Sequence, residues 1–170
     1  FRKSIGLKEG VPTVFVGGGS LGNNAIMLVL PILLTLFKPI QIIFNTGKDE
    51  TAHKMVERFK KLVTKLPKLS NTLGVVNMGW IENMGEVLSI CDLVLGKAGP
   101  NFIFDVVAAK KPFVAITHIG GQEDGNLDLV REKKLGVIRE NPIKLAQFLR
   151  RFLANPTKFI NKYKKYIEKD

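Results

Sequence analysis

Cysteine is almost missing. The 170 residues contain one, Cys91, so no disulfide can form within the chain. Histidine is nearly as scarce. His53 and His118 lie far apart, and with one cysteine they make no zinc ligand set. Cys91 closes the apolar run 87–91 and reads as a buried small hydrophobe, which suits a reducing compartment. Long apolar runs are lacking too. The most apolar stretch, 25–37, is interrupted by Pro31 and is shorter than the roughly 20 residues a membrane span needs. Phe1-Arg2-Lys3 leads into no apolar core, so no signal peptide is read, and the chain, which does not start with Met, reads as a piece of a longer protein. Acidic residues are in deficit, 15 against 26 Lys and Arg, for a formal charge of +11. Nucleic acid, an acidic membrane surface or a phosphorylated small ligand would each suit that balance. The basic residues are spread over helix-like stretches without interleaved aromatics, which makes nucleic acid the weakest of the three.

Composition is otherwise that of a globular protein, 45% hydrophobic and 24% charged, without internal repeats or a low-complexity linker. A chain of this length buries about 70% of its unfolded surface and can build its own core. Short, largely apolar strands are read at 14–16, 40–44, 75–78, 93–95, 113–116 and 136–138. Helices are read between them: from Asn23 or Asn24 toward Leu36 with Pro31 kinking or ending it, from Asp49 to about 66, and over 83–91, 102–109 and 126–133. Pro142 starts another helix, and a last one covers 156–167. In the second helix Met55, Phe59, Leu62, Val63 and Leu66 are spaced as one apolar face. Apolar strands alternating with helices predict an α/β fold: a Rossmann-like, doubly wound parallel sheet covered on both faces. Such sheets bind ligands at the carboxyl ends of their strands, where the Gly-rich turns of this chain fall.

The first of these turns, Gly17-Gly18-Gly19-Ser20-Leu21-Gly22, fits the G-x-G-x-x-G pattern of dinucleotide binding, in which bare backbone amides and a helix N-terminus approach phosphate. A nicotinamide dinucleotide site also needs an acid at the end of the second strand to hold ribose. That strand ends at Phe44-Asn45-Thr46, and the nearest acid, Asp49, lies beyond the turn as a helix-start residue.

A more specific series follows. It comprises Gly79-Trp80-Ile81-Glu82-Asn83-Met84, Cys91-Asp92-Leu93-Val94-Leu95, Lys97-Ala98-Gly99-Pro100-Asn101 with Asp105, and Gly120-Gly121-Gln122-Glu123-Asp124-Gly125-Asn126. Over about 11–155 it resembles the carboxyl-terminal domain of the glycosyltransferases that include monogalactosyldiacylglycerol synthases and bacterial diacylglycerol glucosyltransferases. More distantly it resembles the N-acetylglucosaminyltransferase of peptidoglycan-precursor synthesis. The resemblance implies the carboxyl-terminal half of a glycosyltransferase B fold, with residues 1–170 forming one nucleotide-sugar-binding domain and 156–170 a basic terminal helix. The amino-terminal acceptor domain, which in the family usually carries the catalytic base, is absent from this chain. The implied activity is that of an inverting, UDP-sugar-dependent hexosyltransferase acting on a lipid acceptor such as diacylglycerol. The isolated domain is expected to bind donor without turning it over.

By position, the resemblance assigns Gly18, Gly19, Ser20, Lys97, Gly99, Pro100 and Asn101 to phosphate, the backbone at Trp80 and Ile81 to uracil, and Asp105 to the ribose hydroxyls. Gln122, Glu123 and Asn126 fall where the family reads sugar hydroxyls. Two positions depart from the family: Phe102 replaces a small or hydroxyl residue that helps hold phosphate, with Asn101 as a substitute from the helix cap, and Asp105 replaces a Glu. His118 is the sole histidine in a candidate site loop, and no carboxylate pair or Ser-His-Asp set stands out. Amides and helix N-termini can stabilise a departing UDP without a metal, so neither metal nor cofactor is expected beyond the donor itself. A UDP-sugar epimerase domain and a non-catalytic nucleotide-binding module are the alternatives. The expected location is cytoplasmic. The lysines 158, 162, 164, 165 and 169 of the last helix suit a peripheral site on an anionic membrane, whereas its aromatics would suit either that surface or the protein core.

Overall fold

Four of the six strands bury nearly every side chain, which only cover on both sheet faces allows. The computed structural model describes residues 2–17, 23–117, 121 and 124–167, with backbone alone at 23 and 167. After a 3-10 turn at Lys3–Ile5, the chain runs β1 (Thr13–Gly17), α1 (Asn23–Leu33), β2 (Ile40–Asn45), α2 (Glu50–Lys65), α3 (Pro67–Ser70), β3 (Leu73–Met78) and α4 (Met84–Ser89). It continues β4 (Leu93–Lys97), α5 (Pro100–Ala108), β5 (Phe113–Thr117), α6 (Asp124–Glu132), β6 (Gly136–Ile138), α7 (Pro142–Ala154) and α8 (Pro156–Ile167). All strand pairs are parallel, in the order β3-β2-β1-β4-β5-β6.

Alternate strand residues serve two cores. Val14, Val16, Ile42, Phe44, Leu93 and Leu95 pack under α1, α2 and α7. Phe15, Ile43, Val94 and Ala115 pack under α4, α5 and α6. Cys91 is buried in the second core, where loss of solvation pushes its thiol up to about 12.

Several boundaries differ from the sequence reading. α1 stops at Leu33, two residues past Pro31, whose ring removes an amide and crowds the preceding turn. α5 and α6 each start two residues early, at Pro100, whose fixed φ suits the first turn, and at Asp124, whose charge suits the helix N-terminus. The short α3 was not expected. On α2 the buried stripe is Ala52, Val56, Phe59 and Val63, while Leu62 and Leu66 are 42% and 41% exposed. Leu66 lies past the last helical turn, in extended backbone, and so leaves the stripe.

The aromatic side of α8 turns inward. The Phe159 ring lies 5.1 Å from Phe148, 5.7 Å from Phe152 and 4.8 Å from Tyr163. These rings strap α8 onto α7 and are unavailable for insertion into a bilayer.

Candidate functional site

The strand order reverses between β1 and β4, where Gly17 and Gly96 lie side by side. A Cβ on Gly96 would overlap the Gly17 carbonyl oxygen and press the Phe102 ring to 2.6 Å, and a Cβ on Gly17 would sit 2.8 Å from that of Asn45. Two glycines thus let the central strands and the helix behind them close to contact at the point where doubly wound sheets bind ligands.

The turn leaving β4 is held from both sides. The β4–β5 register shifts between Gly96 and Lys97, and the Ala98 amide donates to the Thr117 carbonyl at 2.9 Å. On the other side Asn126 Nδ2 donates to the Ala98 carbonyl at 3.0 Å. The Gly99 amide donates to the Lys97 carbonyl at 2.8 Å, and Pro100 has no N–H. Gly99 is the N-cap of α5 and supplies no side-chain cap. Among the described residues, the first-turn amides left without a partner are therefore those of Asn101 and Phe102. Asn101 is an exposed second residue of the helix rather than its cap, so it cannot substitute from the cap position. Phe102 is buried, its ring 5.9 Å from both Phe15 and Phe113, so this side chain serves the core.

Asp105 lies four residues beyond Asn101, about 6 Å further along the axis. It is exposed, its carboxylate has no partner among the described residues, and it belongs to the last turn of α5. A carboxylate there opposes the helix dipole, so Asp105 is not an acid placed to stabilise the helix start. Asp49 is different: its carboxylate caps α2 by accepting from the Ala52 amide at 3.0 Å. The ribose-binding acid of a nicotinamide site is missing from the end of β2.

Trp80 and Ile81 follow β3. The loop is fixed by the Thr46 amide donating to the Met78 carbonyl at 3.0 Å and the Gly47 amide to the Gly79 carbonyl at 3.2 Å. Asn77 Nδ2 donates to Glu57 at 2.9 Å, a bond that holds the Glu57 carboxyl below its usual range. Trp80 is 65% exposed with Lys48 Nζ 4.7 Å from its ring centroid, which excludes a core-anchor role. Ile81 is half-buried against the core that contains Ala98, Phe102 and Ile103, and α4 lies against α5. Among the described residues the backbone of Trp80 and Ile81 makes no hydrogen bond to another segment. Gly18, Gly19, Ser20, His118, Gln122 and Glu123 lie outside the described residues. The roles of Lys48 and Asn77 were not anticipated. Their partners are distant in sequence, and no local pattern marks them.

This sheet order, with its glycine-lined switch point, is that of a doubly wound α/β domain, and the solved structures it resembles are glycosyltransferases of the B fold. Acinetobacter baumannii MurG aligns with a TM-score of 0.76 over 98% of this chain and 48% of its own, at 19% identity. Anabaena HepE, crystallised with UDP and glucose, aligns with a TM-score of 0.69 over 98% and 45%, at 18% identity. The chain belongs to the family described by the glycosyltransferase family 28 C-terminal domain, which matches residues 13–169. Monogalactosyldiacylglycerol synthase 1 of Arabidopsis thaliana is 28% identical over 151 residues, 87% of this chain and 27% of the plant protein. The UDP-N-acetylglucosamine–N-acetylmuramyl-(pentapeptide) pyrophosphoryl-undecaprenol N-acetylglucosamine transferase of Halalkalibacterium halodurans is 26% identical over 145 residues, 81% of this chain and 37% of that protein. The chain thus spans about a quarter to two-fifths of the length of these two curated relatives.

Proposed function

We propose that this chain is the donor-binding half of an inverting glycosyltransferase that moves a hexose from a UDP-sugar to a lipid acceptor such as diacylglycerol. The observation that carries the reading is the start of α5 at the sheet's switch point, where among the described residues the amides of Asn101 and Phe102 have no partner and the exposed Asp105 carboxylate a turn below has none either. The amides suit a diphosphate, the carboxylate suits two ribose hydroxyls, and the unused backbone at Trp80 and Ile81 suits the edge of uracil. In this reading Gly18, Gly19, Ser20 and Lys97 complete the phosphate cradle, while Gln122, Glu123 and Asn126 meet the sugar. The crystallisation of HepE with UDP and with UDP-glucose supports the donor class. The synthase relatives support a glycerolipid acceptor.

The acceptor oxygen attacks the anomeric carbon on the face opposite UDP, and the bond to the β-phosphate oxygen breaks with its electron pair leaving on UDP. The protein's task at this end is to stabilise the charge that develops on the diphosphate. A helix N-terminus contributes roughly 0.3–1 kcal/mol to an exposed anion and up to about 2 kcal/mol when partly buried. Preorganised amides do this with little rearrangement during the reaction. The base that takes the acceptor's proton belongs to an amino-terminal domain of the full protein.

Two measurements test the reading. Calorimetry on this chain should show saturable UDP binding that exceeds NAD binding, and NAD binding without UDP binding would overturn the donor assignment. The full-length protein should release UDP from UDP-glucose or UDP-galactose only when diacylglycerol is present. Release that ignores the lipid would overturn the acceptor.

A further inference from the structure

A cavity of about 710 Å³ lies along the outer edge of β6, roofed by the second half of α8 and bounded by the end of α6. Lys134, Arg139, Lys162 and Lys165 line it with Tyr163 and Tyr166, and among the described residues no carboxylate lines it. Arg131, at the rim, is paired with Asp128 at 3.3 Å. A second hollow of about 520 Å³ shares Arg139, Lys162 and Tyr163 and adds Arg151 and Lys158, so the cationic wall continues along the domain's side.

The lysines are gathered rather than dispersed. Lys134 Nζ and Lys165 Nζ each lie 5.0 Å from the centroid of the one Tyr166 ring. The same two cations, Lys134 foremost, hold the Tyr166 phenol below its usual range. Lys134 also has a φ of +52°, in the left-handed region that favours glycine, at the end of α6. Two ammonium groups around one ring repel each other, and an anion between them would relieve that repulsion.

We infer that this groove seats the phosphate headgroups of an anionic phospholipid bilayer and docks the domain on it through its β6 side. Charge complementarity favours that occupant, because the groove and the hollow beside it together present, besides the paired Arg131, six cations and, among the described residues, no acid. A bilayer also meets an extended wall, whereas one small phosphate would meet only part of it. The contact is electrostatic, since Phe159 of α8 is packed against α7 and the Tyr166 ring lies under two lysines. The inference is independent of the donor site, which lies at the carboxyl ends of the strands.

Co-sedimentation tests it, with vesicles of phosphatidylcholine alone and of equal parts phosphatidylcholine and phosphatidylglycerol. The chain should partition onto the anionic vesicles only, and less as salt rises. Lys134→Glu with Lys165→Glu should lower that partition by about tenfold or more, while Lys61→Glu with Lys68→Glu, an equal charge change on α2 and α3, should lower it far less. Circular dichroism melting and UDP calorimetry on each double variant separate lost docking from lost folding and from failure of the donor reading. Equal losses from both pairs would mean diffuse attraction and overturn the groove. Unchanged partition would leave the lysines as guards of the β6 edge. Saturable binding of glycerol 3-phosphate without vesicle binding would replace the bilayer with a soluble phosphate ligand.

Discussion

The Asn126 side chain donates to the Ala98 carbonyl at 3.0 Å, so α6 fixes the turn that opens α5. An asparagine assigned to the sugar is thereby also a support for the phosphate end of the site. Its amide retains a second N–H and its oxygen for a ligand. Asn126→Ala should weaken UDP and UDP-sugar alike, each by about fivefold, the effect of one neutral hydrogen bond. A loss confined to the UDP-sugar in calorimetry would make Asn126 a sugar contact alone.

Asp105 carries the ribose in the proposed site, and in the last turn of α5 its carboxylate has no partner among the described residues. Asp105→Ala should lower UDP affinity by about tenfold to a hundredfold, the range of one charge-assisted hydrogen bond. Uracil, which lacks ribose, should bind the variant and the parent alike. The melting temperature should hold or rise, because the change removes a charge that opposes the dipole. Equal losses for uracil and UDP would indicate damage to the fold.

The strands were legible because burial on both faces demands unbroken apolar runs, and Val14-Phe15-Val16 or Ile42-Ile43-Phe44 admit few other readings. Asp49 and Pro142 were legible as helix starts because capping is local. What could not be read was non-local. Phe159 has the same spacing whether it meets lipid or Phe148, and only packing against α7 decides. The bond from Asn126 to Ala98 spans 28 residues. The site motifs at Trp80, Gly99 and Asp105 were visible as residues, but which amides of α5 stay open required the Gly99–Lys97 bond.

Trp80 is the chain's single tryptophan, and its ring is open to solvent beneath Lys48. UDP bound beside its backbone should change its fluorescence in a saturable way that matches the calorimetric midpoint. Trp80→Phe should leave UDP affinity within about twofold, because the assigned contact is to the backbone. A large loss of affinity would instead make the indole a stacking surface for the base.

Burial raises the Cys91 thiol from 9.0 to about 12. The sign follows: the folded state favours the protonated form, so this contribution is complete below about pH 9 and is lost as pH climbs toward about 12. Lysines and tyrosines titrate in the same window, so Cys91→Ala is the reference. The stability difference between parent and Cys91→Ala in urea melts should shift against the parent as pH rises through that window. A constant difference would show that ionisation of this thiol is not penalised. At pH 8 the native thiol should resist alkylation that proceeds readily in denaturant.

Phe102→Ser places a hydroxyl at the start of α5, and it separates the two uses of the helix start. Phe102 is 5% exposed, and its ring fills the space between Phe15, Phe113 and Gly96. Losing it should cost about 3–5 kcal/mol, visible as a melting point lower by roughly 6–20 °C. Phe102→Leu, which keeps most of the volume, should cost about 1.5 kcal/mol or less. UDP affinity should not improve in the serine variant, because the new hydroxyl would point where the ring now points, into the core, while the proposed phosphate contacts are the backbone amides of residues 101 and 102. If the serine variant binds UDP several-fold more tightly despite its lower stability, the side chain at 102 can reach the phosphate, and the division of labour between a buried ring and open amides is wrong.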